Sequence, residues 1–113
     1  MTLPLLVGAA SCFALPAGAQ TQPSIVGSPL RWITNADYPS TALRERREGR
    51  ASYKLTIDAS GRVSRCEITA STGHADLDAQ TCRLLSRRAR FVKTGGTDQP
   101  RFFESMFSWN IYD

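Results

Sequence analysis

Residues 50–71 read RASYKLTIDASGRVSRCEITAS. Tyr53, Leu55 and Ile57 alternate with Ser52, Lys54 and Thr56, the period of two expected of a strand with one buried face. Asp58-Ala59-Ser60-Gly61 interrupts the pattern as a turn, with Gly61 suited to the positive φ that a hairpin loop often demands. From Val63 to Ser71 the alternation resumes, with Cys66, Ile68 and Ala70 on one face and Arg65, Glu67 and Thr69 on the other. The stretch predicts a β-hairpin with one wet face, so the flanking chain has to cover the other.

Upstream, Pro39 to Glu48 (PSTALRERRE) predicts a short helix with Pro in its first turn, Ala42 and Leu43 facing the core and Gly49 as its stop. Downstream, Ser71-Thr72-Gly73-His74-Ala75 breaks the strand, and a cap at or near Asp76 starts a second helix running to Arg88 or Ala89. At 100° per residue Leu77, Leu84, Leu85 and Ala89 share one side of it, with Cys82 at the margin and Gln80, Arg83, Arg87 and Arg90 opposite. Residues 94–100 (TGGTDQP) form a loop, and residues 101–112 alternate as a last strand with Phe103, Phe107, Trp109 and Ile111 on one face. The order is helix, strand, strand, helix, strand, which fits a single two-layer α+β core.

The chain has 113 residues and a net charge of +4, built from 12 Arg and 2 Lys against 10 acidic residues. That length allows one small domain and excludes a multidomain enzyme, a multi-span membrane protein and a large cofactor-binding fold. Residues 1–30 contain no Asp, Glu, Lys, Arg or His. Residues 1–19 are apolar and end Ala17-Gly18-Ala19, the small-residue pattern of a signal-peptidase site, which predicts export with cleavage before Gln20; an uncleaved anchor is the alternative. Residues 20–34 then form a short extended linker, with Leu30, Trp32 and Ile33 available to pack onto a domain at 35–113.

Export leaves Cys66 and Cys82 as an even pair in an oxidising compartment, on a strand and on the helix over it, and they are expected to be bridged. Two separate buried thiols are the other reading. A metal site is not expected, because His74 is the single His and zinc wants four ligands. No nucleophile motif surrounds His74 and no Gly-rich phosphate loop occurs, so neither catalysis nor a cofactor is expected.

Tyr38-Pro39, Gly49, Asp58-x-x-Gly61-x-Val63, Ser71-x-Gly73, Leu77-Asp78 and Arg90-Phe91, in that order and spacing, resemble the C-terminal domain of the TonB family. The likeness spans about residues 35–112, nearly the whole chain after the leader. It implies three antiparallel strands in one sheet with two helices on one face. It also implies a periplasmic domain whose last strand pairs with a short extended segment of an outer-membrane transporter in energised transport. An edge strand offers unpaired backbone N–H and C=O groups, which suits that role. On this reading Tyr38, Pro39, Glu104, Ser105, Met106, Phe107, Ser108 and Trp109 are the candidate partner-binding residues. The family's transducers carry an anchor whose residues couple to a motor, and a long Pro-rich spacer. Residues 1–19 hold no charged side chain and no His, which leaves motor coupling unsupported. Residues 20–38 span at most about 65 Å.

A second class of function is a basic envelope-binding module that uses Arg44, Arg46, Arg47, Arg83, Arg87, Arg88 and Arg90 on anionic cell-wall or lipid groups. The same arginines can equally serve as a solvated face. Nucleic acid is not expected as a partner, since the chain has no nucleic-acid motif and reads as exported.

Overall fold

A computed structural model describes residues 22–94 and 99–112. The expected leader at 1–19 and most of the 94–100 loop lie outside the described residues.

The hairpin forms as its alternation requires. β1 (Gly49–Ile57) buries Ala51, Tyr53, Leu55 and Ile57 on one face, and β2 (Val63–Ala70) returns antiparallel to it. Gly61 closes the turn at φ 90°, donating its N–H to Asp58 O at 3.0 Å. β3 (Arg101–Trp109) pairs antiparallel with the other side of β1 in continuous register, from Gly49 opposite Trp109 to Ile57 opposite Arg101. The sheet order is therefore β2-β1-β3, with the most buried strand in the centre.

Helix α1 (Ser40–Arg44) is shorter than its sequence suggests. Ala42 is buried, but Leu43 is 45% exposed and does not face the core. The chain leaves α1 through Arg46 at φ 54°, so the left-handed turn falls there and not at Gly49. Gly49 instead opens β1, where an added Cβ would lie 2.6 Å from the Thr72 carbonyl oxygen. Close approach of the segment just after β2 explains that glycine.

Helix α2 (Ala75–Arg88) packs over β2 and β1 and buries Leu77, Thr81, Leu84 and Leu85, with Ala89 at its C-cap. His74, not Asp76, stands at its N-cap. Asp76 sits in the first turn and pairs with Arg47. Asp78 ties the end of β2 to the helix, accepting from the Thr72 N–H at 2.9 Å and from the Ser71 and Thr72 hydroxyls. Burial pushes the Asp78 carboxyl up, but these donors outweigh it and hold the pKa below the usual value. Cys66 on β2 and Cys82 on α2 are disulfide-bonded, with Cα atoms 5.6 Å apart.

The pairing of β1 with β2 is irregular. Ser52 pairs with Ala70 and Tyr53 with Ile68, so Thr69 is an extra residue and the side-chain alternation shifts there. Ala70 ends exposed beside the outer-face partner Ser52, not on the core face with Ile68.

Residues 22–34 do not run out as an extended linker. Ile25 bridges Phe91, with Val26 N–H on Arg90 O and Val92 N–H on Ser24 O, both at 2.9 Å. A 3₁₀ turn at Pro29–Arg31 then drops Trp32 and Ile33 into the core, while Leu30 stays 83% exposed. A second turn, Asn35–Asp37, is anchored to α2 by a bidentate pair from Arg88 to Asp37 at 2.8 and 3.0 Å. Arg88 also donates to Trp32 O at 3.0 Å. This amino-terminal strap supplies much of the cover for β3.

Candidate functional site: the outer edge of β3

Two aromatic nests hold the inner face of β3. Trp32, Phe91 and Phe103 meet with ring centroids 5.2–6.1 Å apart. Further along, Trp109 takes Tyr38 and Phe107 edge-on at 5.2 and 5.1 Å. Trp109 is almost fully buried, so its indole N–H needs a partner, and Thr81 Oγ1 accepts it at 2.8 Å. The Thr81 hydroxyl in turn donates a hydrogen bond to Leu77 O at 2.8 Å. Thr81 is the one buried polar residue among the described residues, and its hydroxyl fixes Trp109.

The backbone of β3 alternates between its two sides. The Glu104 N–H donates to Gln22 Oε1 at 2.8 Å, and Glu104 O accepts from Gln22 Nε2 at 3.0 Å. Both backbone groups of Glu104 therefore point away from β1. Because the register with β1 has no bulge, Phe102, Met106 and Ser108 share that outward sense, and Phe103, Ser105 and Phe107 turn theirs to β1.

Beneath this edge, on the helix side of the sheet, lies an apolar groove of about 270 Å³. The strap forms one wall with Ile25, Leu30 and Trp32, and β3 the other with Phe103, Ser105 and Phe107. Leu85 reaches it from α2. On the opposite, wet face Phe102 and Met106 are exposed, and the Lys54 ammonium sits 4.5 Å from the Phe102 ring centre.

Of the residues singled out from sequence, Ser105 and Phe107 line the groove from the inner face, Met106 borders it while belonging to the wet face, and Glu104 and Ser108 lie on the edge above it. Tyr38, Pro39 and Trp109 are placed elsewhere. The Tyr38 hydroxyl donates to Arg47 O while its ring packs on Trp109, and Pro39 is the N-cap of α1. Tyr38 and Trp109 belong to the packing that holds the end of β3, and Pro39 to the start of α1. The expected packing of Trp32 and Ile33 onto the domain occurs, while sequence reasoning missed the strap they belong to and the part Gln22 and Ile25 play in shaping the site. The apolar residues of 20–34 signal docking but not its path, because the contacts are with residues about 60–80 positions away.

The arginines expected to form a basic field are partly committed within the fold. Arg47 pairs with Asp76 and Glu45, Arg88 with Asp37, and Arg90 donates to Ala89 O. Among the described residues no group of three or more His, Cys, Asp or Glu is placed to hold a metal ion. No helix among them is long and apolar enough to cross a membrane.

Residues 34–111 match the family described as Gram-negative bacterial TonB protein C-terminal. Among solved structures, the chain is similar to the solution structure of the Pseudomonas aeruginosa TonB C-terminal domain. The two share 26% sequence identity and a TM-score of 0.60, over 76% of this chain and 87% of that one. No curated protein matches the chain in sequence.

Proposed function

Since this chain belongs to the TonB C-terminal family and carries that family's interaction domain, we propose that it binds an extended peptide segment of an outer-membrane transporter by adding it as a fourth strand at β3. The observation that carries the reading is the coincidence of the outward backbone groups of β3 with the apolar groove directly below them. Backbone pairing supplies affinity with little sequence demand, and alternate side chains supply selectivity. Directly paired residues share a sheet face, so a peptide residue opposite Glu104 sends its side chain to the wet face. Its two neighbours project into the groove between Trp32 and Phe107. The favoured partner is a strand with apolar residues at alternate positions.

The periplasm is the compartment this partner requires, and the disulfide between Cys66 and Cys82 accords with an oxidising one. Calorimetric titration tests the proposal, using synthetic peptides that copy the amino-terminal plug segments of outer-membrane transporters from the same bacterium. Repeating it between about 0.05 and 0.5 M salt separates strand pairing from arginine-driven binding, because charges more than a Debye length apart are screened over that range. The proposal expects affinity to change little. A steep loss with salt would favour anionic envelope groups held by the arginines.

A further inference from the structure

The edge that the proposed partner needs is already in use at one rung. Gln22 sits on it, exposed, 82 positions away in sequence from the residue it bonds. A primary carboxamide has the donor and acceptor of a peptide group, and Gln22 uses both, at 2.8 and 3.0 Å, on the N–H and C=O of the same residue. That is the exchange two residues make across an antiparallel ladder. The side chain reproduces one rung of the missing strand.

We infer that Gln22 is an internal stand-in for the partner: its carboxamide closes the β3 edge at Glu104, and an incoming strand pairs there only by displacing it. The inference rests on the proposed edge pairing and deepens it.

The strap makes the stand-in effective. Ser24 and Val26 are bonded to the 90–92 segment, which holds Gln22 near Glu104 and raises its local concentration there. Displacement is still easy. Both bonds are solvent-exposed, each is worth little net in water, and closure immobilises a side chain with several rotors. A binding-competent state populated only in part lowers apparent affinity by that fraction. The clasp therefore weakens strand addition at β3 by a modest factor and leaves the edge of β2 untouched. It also shields an exposed strand edge from casual pairing with other chains.

The test compares the exported protein with its Gln22→Ala and Gln22→Glu variants. Gln22 is exposed, so neither variant threatens the fold. Amide hydrogen exchange without peptide reads the clasp. In Gln22→Ala the Glu104 N–H should exchange several-fold faster, with Ser105 and Phe107 unchanged. In Gln22→Glu the carboxylate still accepts that N–H, so protection of Glu104 should largely persist. Titration with the plug-segment peptides reads the competition, and Gln22→Ala should bind them about three- to tenfold more tightly. Unaltered Glu104 exchange in Gln22→Ala overturns the inference. Equal peptide affinity at β3 in both proteins also overturns it and leaves the proposed function standing. Binding at β3 by neither protein overturns the proposed function and the inference together.

Discussion

Gly61 carries more of this fold than its place in a surface turn suggests. Its φ is 90°, and a Cβ built there would lie 2.0 Å from the Phe91 carbonyl oxygen. Phe91 in turn donates its N–H to Gly61 O at 2.8 Å, so the hairpin turn and the segment after α2 are locked face to face. Gly61→Ala should therefore cost both left-handed strain and a backbone shift, in all about 2–4 kcal/mol, read as a lowered midpoint in denaturant unfolding. The sequence makes the turn glycine visible through Asp58-x-x-Gly61, but not its second reason, because Phe91 is remote in the chain. Thr81 gives the same lesson. It lies mid-helix on the apolar side and reads as an unremarkable polar residue until Trp109 is placed against it. Thr81→Val keeps the volume and strands the indole N–H, a loss of about 1–3 kcal/mol. Thr81→Ser, which keeps the acceptor, should retain most of that stability.

At the scale of elements, β1, β3 and α2 are legible because period 2 or period 3.6 is sustained over nine residues or more, and β2 because period 2 holds through Cys66 and Ile68 before it shifts at Thr69. α1 is less so, since five residues give too little periodicity to say which of Ala42 and Leu43 turns inward. The strap is legible only in part: Trp32 and Ile33 read as residues that pack onto the domain, but where the segment docks is decided by what it meets and not by its own pattern. Its anchorage to α2 makes a pH prediction. The Arg88 guanidinium holds the Asp37 carboxyl at about 2, with the Thr34 N–H and hydroxyl assisting against the opposing effect of burial. A carboxylate depressed in the folded state stabilises above its unfolded value, near 3.8, and loses that stabilisation as pH falls towards 2. Acid titration should therefore cost on the order of 1–2 kcal/mol between about pH 4 and 2, and Asp37→Asn should flatten that part of the stability profile. The edge of β3 makes a sharper prediction. Ser108 points its N–H outward and Ser105 towards β1. Ser108→Pro should fold and lose peptide binding, whereas Ser105→Pro should break the ladder with β1 and unfold. Circular dichroism with a binding titration on both variants checks the pair.

The whole molecule is a sheet covered by two different devices. Over β2 and β1 the cover is α2, fastened by a disulfide that closes a span of 16 residues. Over β3 it is the strap, fastened by Arg88 and by backbone bonds to residues 90–92. For a chain this small the disulfide should contribute about 3 kcal/mol, so reduction should lower the unfolding midpoint markedly, and mass measurement of unreduced protein should show two hydrogens fewer than the reduced form. The proposed partner strand adds at β3, whose outward backbone groups stand above the apolar groove. That is the central claim, and one measurement reads it directly: amide chemical shifts and cross-strand Overhauser contacts of the labelled protein on titration with transporter plug peptides. The account predicts perturbation of the outward amides of Phe102, Glu104, Met106 and Ser108, with contacts from peptide side chains to Trp32 and Phe107. Perturbation confined to the arginine-bearing surface of residues 80–90, with residues 101–109 unmoved, would contradict it.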